Sequence, residues 1–304
     1  MAGAIFRFWH CADRRRAFAR LAAALLLALI GTPAAACPDT PHRFETFSLP
    51  APALGHAKRI LVWLPPGYDC TDRRYPVLYL NDGHDLFAWS PFAADLDPPL
   101  AAEIAAREGW YGSWRLDEQL DRAIAEGALP AMIVAGIAAD DGLRSRDLAP
   151  VPWDGSAEAR GGPYAAFVAG TVAPMVDRAF RTIAEARCRG IGGASLGGVS
   201  ALQIGLAYPE RFGMAFALSP LLRDPAIARF MAERWRARRA GGRVLIDLDD
   251  DPTGHADRQW LETLVGPSPQ TILVQTPGGR HTIASWAERV IPALRTLLAG
   301  RCGG

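Results

Sequence analysis

Lysine is almost missing from this chain, since Lys58 is the single lysine beside 32 arginines. We attribute this bias to genomic base composition and not to function. The chain also lacks a Cys-x-x-Cys pair or a histidine cluster with metal-ligand spacing, so the sequence predicts no metal site. With 33 basic and 32 acidic residues it lacks the basic excess of a nucleic-acid-binding protein, and no nucleic-acid partner is expected.

The chain has no apolar run long enough to span a bilayer, and its apolar residues 21–30 instead resemble the core of a secretory signal. Five arginines precede or flank that core, and small residues at 34–36 offer a cleavage site before Cys37. We therefore expect a signal peptide at 1–36, a periplasmic or secreted protein, and no stable membrane insertion after cleavage. An uncleaved anchor and a lipoprotein modified at Cys37 remain alternatives.

Removal of residues 1–36 from the 304-residue chain leaves 268 residues, which suits one catalytic domain at 37–304. Five arginines and one aspartate leave with the signal, so 28 basic and 31 acidic residues remain, a net charge of −3.

The segment 190–198 contains Gly193-x-Ser195-x-Gly197, the pattern of a nucleophile elbow. Such a serine lies in a sharp turn between a strand and a helix, where strained backbone geometry exposes its hydroxyl. Small residues two positions before and after the serine let the strand and the helix approach closely. The alternative is a glycine-rich strand-to-helix connection in which Ser195 has no function.

Strand-like and helix-like segments alternate along the chain. The predicted strands are 42–49, 59–64, 76–80, 131–137, 186–193, 214–218, 244–248 and 271–275. The predicted helices are 116–126, 167–180 with a kink at Pro174, 199–207, 225–240 and 285–298. This alternation predicts an α/β fold with a mostly parallel sheet covered by helices on both faces.

A serine hydrolase of this order has its acid and then its histidine after the serine. His281 lies in the loop after the last predicted strand, where a general base belongs; the alternative is a surface-loop histidine. The acid follows strand 244–248, and Asp249, Asp250 and Asp251 all do so. We favour Asp251, because Pro252 after it suggests that the turn has begun.

Two backbone N–H groups would complete an oxyanion hole. They are expected from Leu196, directly after the serine, and from His84 in the loop after strand 76–80. Two irregular stretches, 87–113 and 138–163, follow strand ends on the side where α/β sheets bind ligands. Their candidate substrate contacts are Trp89, Trp110, Arg144, Arg146 and Trp153; packing of the loops and salt bridges within them are the alternatives.

Several segments together resemble the esterase D, or putative esterase, family of the α/β-hydrolase superfamily. They are 64–68, 75–87, 193–198, 208–213, and 278–281 with Trp286, and the resemblance extends over about residues 42–300. Enterochelin-esterase-like enzymes and feruloyl esterases belong to this branch. The resemblance implies an eight-stranded α/β-hydrolase sheet and serine-esterase chemistry without a cofactor.

Carried over residue by residue, the resemblance implies Ser195 as the nucleophile, His281 as the base, and Leu196 and His84 as oxyanion donors. The chain departs from the family at the acid, where Asp249 to Asp251 replace a glycine-led turn, and at Arg280, inserted before His281.

The expected function is hydrolysis of a small-molecule carboxylic ester through an acyl-enzyme. Acyl transfer by the same triad and a non-catalytic binding protein on this scaffold are the alternatives. The sequence makes no prediction of the oligomeric state.

Four cysteines remain after signal cleavage, and an even number in an exported chain favours disulfides over free thiols. We expect Cys70–Cys188, because both residues precede strands that would be neighbours in this fold. Cys37–Cys302 would then join the two ends of the domain.

Overall fold

The structure is a computed structural model that describes residues 40–88, 113–139, 142–153, 155, 157–238 and 242–302. They all belong to one compact unit, Thr40–Gly304. The expected signal peptide, Cys37, Trp89 and Trp110 lie outside the described residues.

Eight strands form a single sheet. Their bounds are β1 Arg43–Ala51, β2 His56–Leu64, β3 Val77–Asn81, β4 Ile133–Ile137, β5 Arg189–Ala194, β6 Met214–Leu218, β7 Arg243–Leu248 and β8 Thr271–Gln275. The order across the sheet is β1-β2-β4-β3-β5-β6-β7-β8. The pairs β1–β2 and β2–β4 are antiparallel and the other pairs are parallel. The expected mostly parallel, eight-stranded α/β-hydrolase sheet is therefore confirmed.

The central strands are buried on both faces, as their continuous apolar sequences require. In β3, Val77 and Tyr79 join one hydrophobic cluster, while Leu78 and Leu80 join a second cluster on the opposite face. In β5 a side chain at Gly192 would collide with the ring of Phe216, since a Cβ there would lie 2.0 Å from the nearest ring carbon. Glycine therefore lets β5 pack against β6.

The helices that cover the sheet are α1 Leu116–Ala125, α2 Arg144–Leu148, α3 Gly161–Phe167, α4 Ala173–Ala179, α5 Leu196–Ala207, α6 Pro225–Arg236, α7 Pro252–Val265 and α8 Ile283–Leu298. A π-helical turn, Val168–Val172, separates α3 from α4. It ends two residues before Pro174, whose missing N–H interrupts the α-helical hydrogen bonds. The sequence did not predict α2 or α7, and of α3 it predicted only the last residue, Phe167. Among the described residues, no helix has the length and apolar character needed to cross a bilayer.

The predicted disulfide pairing is wrong, because Cys188 pairs with Cys302. Cys188 is the last residue of a short 3-10 turn directly before β5. Cys302 lies in the segment that follows α8, so the disulfide joins this segment to the entrance of β5. Cys70 is also disulfide-bonded, and its sulfur lies 3.3 Å from the hydroxyl of Thr40. Cys70 therefore faces the start of the described chain and not the entrance to β5.

Candidate active site

Ser195 lies between the end of β5 and the start of α5, in a left-handed backbone conformation with φ 54° and ψ −125°. This conformation is uncommon for a residue other than glycine and stores strain. The strand and helix approach so closely that a Cβ on Gly193 would lie 2.6 Å from the carbonyl oxygen of Gly197. The predicted strand, sharp turn and helix are all present around this serine.

His281 contacts Ser195 through one ring nitrogen and a carboxylate through the other. Its Nε2 lies 2.9 Å from Ser195 Oγ, and its Nδ1 lies 3.1 Å from Asp249 Oδ2. The ring also packs edge-on against Trp286, with 5.1 Å between the ring centroids. The loop between β8 and α8 thus brings the predicted histidine to the predicted serine, 86 residues away in the sequence.

The carboxylate beside His281 belongs to Asp249, so the sequence choice of Asp251 is corrected. Strand β7 ends at Leu248, and Asp249 is the first residue after it. Asp251 is the N-cap of α7, where its side chain accepts a 2.8 Å hydrogen bond from the amide of Gly254. Pro252 follows as the first helical residue, a position where proline is favoured. Asp-Pro at this site therefore marks the start of a helix.

Asp250, between these two residues, shapes the loop that carries His281. Its side chain accepts a hydrogen bond from the amide of Gly278 at 2.9 Å. Its own amide donates to the carbonyl of Gly279 at 2.8 Å. All three consecutive aspartates consequently have different partners.

The two predicted oxyanion donors occupy suitable backbone positions. Helix α5 begins at Leu196, and the first amides of a helix have no acceptor within it. The amides on either side of His84 are engaged, because Gly83 donates to Ile137 and Asp85 donates to Asp82. Within the described part of the chain, the His84 amide between them has no backbone acceptor.

The predicted substrate-binding arginines both contact carboxylates. Arg144 donates two hydrogen bonds to Asp82, at 2.7 and 2.8 Å. Arg146 lies 3.5 Å from Glu158. Trp153 is half-buried and packs against the larger hydrophobic cluster. Over the described ranges, no group of three or more His, Cys, Asp or Glu side chains is placed to hold a metal ion.

The family described as "Putative esterase" matches residues 51–295. The chain belongs to this family. Family membership assigns it to the carboxylic ester hydrolases and agrees with the α/β-hydrolase sheet.

This esterase is similar to solved structures and to one curated protein. A ferulic acid esterase is 18% identical, with a TM-score of 0.61 over 85% of this chain and 98% of that one. The enterobactin esterase FES from Shigella flexneri is 21% identical, with a TM-score of 0.65 over 88% of this chain and 62% of that one. The uncharacterized protein YbbA from Bacillus subtilis (strain 168) is 23% identical over 170 residues. That match spans 53% of this chain and 56% of YbbA.

Asp249 also contacts two residues, Ser219 and Arg289, that were not predicted from the sequence. Ser219 donates a hydrogen bond to Asp249 Oδ1 at 2.5 Å, and Arg289 Nη2 lies 3.1 Å from the same oxygen. Burial acts to raise the pKa of Asp249. The hydrogen bonds from His281 and Ser219, together with the positive charges nearby, outweigh burial, so the pKa is lower than usual.

Ser219 uses its full hydrogen-bonding capacity at the end of β6. Its hydroxyl accepts from Trp286 Nε1 at 2.9 Å and from Arg289 Nη2 at 2.7 Å while it donates to Asp249. Its φ of 45° is left-handed, as at Ser195. Trp286 and Arg289 lie three residues apart on α8 and therefore share one helix face. That spacing is the only sequence signal that could have indicated their joint role.

Proposed function

We propose that this esterase hydrolyses a small-molecule carboxylic ester through an acyl-enzyme on Ser195. The observation that carries the proposal is the continuous hydrogen-bonded chain from Ser195 Oγ through His281 to Asp249 Oδ2. It has the serine, imidazole and carboxylate of a catalytic triad in the required contact order.

The proposed reaction begins when His281 Nε2 accepts the proton of Ser195 as the hydroxyl oxygen attacks the ester carbonyl. The amides of Leu196 and His84 donate hydrogen bonds to the oxyanion of the tetrahedral intermediate. His281 then protonates the leaving alcohol, and the acyl-enzyme forms. Water repeats the cycle with the same base and releases the carboxylic acid.

Asp249 holds the imidazole in the tautomer that this reaction needs. Its Oδ2 accepts from Nδ1, which leaves Nε2 free to accept the serine proton. The lowered pKa of Asp249 keeps the carboxylate ionised at neutral pH, so that it stabilises the imidazolium formed during attack.

The substrate class and the compartment extend the proposal. Two similar structures are named for ferulic acid and enterobactin, which supports a small-molecule ester as the substrate of this chain. We also propose export to the periplasm or medium, directed by residues 1–36. The Cys188–Cys302 disulfide supports it, because disulfides persist in oxidising compartments.

A series of p-nitrophenyl esters from acetate to octanoate tests the activity, with wild type, Ser195→Ala and Ser200→Ala compared. We expect Ser195→Ala to lose about 10⁴-fold or more of kcat. Ser200 lies in the same helix and is fully buried, so Ser200→Ala controls for a change in α5 and should keep its activity. Product analysis with added glycerol separates hydrolysis from acyl transfer. Equal activity in wild type and Ser195→Ala would overturn the mechanism.

A further inference from the structure

Asp82 is a buried acid at the edge of the proposed oxyanion hole. It follows β3 directly, two residues before His84, with a left-handed φ of 58° and only 9% of its surface exposed. Its neighbour Asn81 donates from Nδ2 to the carbonyl of Gly197 at 2.7 Å and accepts from the hydroxyl of Tyr164 at 2.7 Å. The end of β3 is thereby fixed to the first turn of α5.

The carboxylate of Asp82 lies against that same helical turn. A Cβ on Gly197 would be 2.5 Å from Asp82 Oδ2, so the oxygen occupies the space that any side chain there would need. Gly197 follows Leu196, and His84 follows Asp82 by two residues. The carboxylate therefore lies against the residue that directly follows one proposed oxyanion donor, and two residues before the other in the chain.

A negative charge at this position would oppose the reaction. The positive N-terminal end of α5 and its free amides would stabilise the oxyanion that develops during attack. An uncompensated carboxylate nearby would repel that oxyanion, and it would do so strongly because the surroundings are buried. Asp82 helps fix the loop, but its charge has to be neutralised if catalysis is to be efficient.

Arg144 supplies the neutralising charge. Its Nε and Nη2 donate to the two oxygens of Asp82 in a bidentate pair, at 2.7 and 2.8 Å. Bidentate arginine–carboxylate pairs are among the strong ion pairs between side chains. Burial acts to raise the pKa of Asp82. The Arg144 guanidinium, with smaller contributions from His84 and Lys58, more than offsets burial, so Asp82 stays ionised and its pair with Arg144 carries no net charge.

We propose that Arg144 is a positioning residue of the oxyanion hole, which cancels the charge of Asp82 beside the forming oxyanion and does not bind substrate. The inference rests on the proposed Ser195 mechanism. It predicts an asymmetry: loss of Arg144 exposes a harmful negative charge, whereas loss of the Asp82 charge leaves a harmless or helpful positive one.

The test is steady-state kinetics on neutral p-nitrophenyl acetate with Arg144→Gln, Asp82→Asn and the double variant. Asparagine suits position 82 because it tolerates a left-handed backbone. Arg144→Gln should lower kcat about 10- to 100-fold, less than deletion of an oxyanion donor, with KM nearly unchanged. Asp82→Asn should keep kcat, and the double variant should recover nearly all of the activity that Arg144→Gln loses.

Two further variants keep the test decisive. Arg144→Lys retains the charge without the bidentate geometry and should stay near wild type even if Arg144→Gln fails to fold. Arg43→Gln, which removes a bidentate arginine–aspartate pair (Arg43 with Asp69) on the edge strand β1, should leave kcat unchanged. Thermal melts of every variant show whether each one is folded at the assay temperature.

Three results would overturn the inference. Equal losses of kcat in Asp82→Asn and Arg144→Gln would mean a purely structural ion pair. A rise in KM alone in Arg144→Gln, without recovery in the double variant, would mean substrate binding. Wild-type kcat in Arg144→Gln would mean that the charge does not matter. An inactive wild type would instead overturn the proposed function, and this inference with it.

Discussion

Arg289 lies 3.1 Å from Asp249 Oδ1, the carboxylate oxygen that His281 does not use. The same guanidinium lies 3.5 Å from Asp247 and is only 3% exposed. The buried guanidinium of Arg289 therefore neutralises two carboxylates, and one of them, Asp249, accepts the hydrogen bond from His281 Nδ1. Since an unpaired buried charge is costly, Arg289 is required both for stability and for the state of Asp249.

Arg289→Met should destabilise the protein by about 3–5 kcal/mol, because it leaves two buried carboxylates without their cation. Arg289 places a positive charge beside the Asp249–His281 pair, so its removal should make protonation of the pair easier and shift the acidic fall of kcat/KM to higher pH. Urea unfolding and a pH–rate profile measure the two effects. Arg289→Lys should restore part of both, and an unchanged profile in Arg289→Met would contradict the role.

Asp249 and Asp251 should differ in their effect on kcat. Asp249→Asn should lower kcat about 10⁴-fold, because an amide in place of the carboxylate no longer fixes the tautomer of His281. It should also lose about 1.5–3 kcal/mol of stability, because the hydrogen bonds from Ser219 and Arg289 lose their ionised acceptor. Asp251→Ala should keep kcat and lose about 1 kcal/mol of stability, because it removes a helix cap. Kinetics and urea unfolding of both variants decide the assignment. A loss of kcat in Asp251→Ala alone would restore the sequence choice.

The sequence predicted the sheet, and it singled out Ser195 and His281, which the structure brings into contact, because each depends on local patterns. Short apolar runs indicate buried strands, and Gly193-x-Ser195-x-Gly197 indicates a strained turn wherever it occurs between a strand and a helix. The structure places Asp249, and not the expected Asp251, beside His281, although the local signal was present. An N-cap aspartate followed by proline is typical of a helix start, which would have excluded Asp251 and left the residue nearest the strand end.

Other parts of the site depend on contacts between distant segments. Ser219 meets Arg289 only because β6 and α8 pack together, and the two residues are 70 positions apart. The cysteine pairing likewise depends on where α8 ends, since strand neighbours alone suggested Cys70 for Cys188. The pair of Arg144, a candidate substrate contact, with Asp82 could not be predicted from the sequence, because Asp82 lies 62 residues earlier.

Lys58 should not be replaceable by arginine, although arginine is by far the commoner basic residue in this chain. Its ammonium lies 2.8 Å from Asp147 on α2, and its side chain is 1% exposed. The larger guanidinium would overfill this space, so Lys58→Arg should lose about 1–3 kcal/mol in urea unfolding. Lys58→Met should lose more, because Asp147 would lose its buried cation. Unchanged stability in Lys58→Arg would mean that this site has no preference for lysine.

The Cys188–Cys302 disulfide should contribute a large part of the stability. It closes a sequence separation of 114 residues and joins the chain after α8 to the entrance of β5. The variant Cys188→Ala/Cys302→Ala should lose about 2–5 kcal/mol. Urea unfolding of this variant and of wild type, both without reductant, measures the difference. A loss under 1 kcal/mol (about the effect of one ordinary substitution) would show that helix packing alone holds the C-terminus.

Asp82 should stabilise the protein in a pH-dependent way. Its folded-state pKa lies below the unfolded value of about 3.9, so its contribution is complete above that value and disappears as the pH falls through the folded-state pKa. At pH 7 Asp82→Asn should cost about 1.5–3 kcal/mol, the range for a hydrogen bond to a charged group.

Urea unfolding tests the direction of this pH dependence. Wild type and Asp82→Asn are compared between pH 7 and the lowest pH at which both fold. The difference in free energy of unfolding should be largest at neutral pH and should shrink below about pH 4, because wild type then loses the ionised carboxylate that the variant never had. Asp72→Asn, which changes an exposed acid, should give a small difference at every pH. A gap between wild type and Asp82→Asn that stays constant through the acidic range would mean that the ionisation of Asp82 does not stabilise the fold. The pair with Arg144 would then act through shape alone.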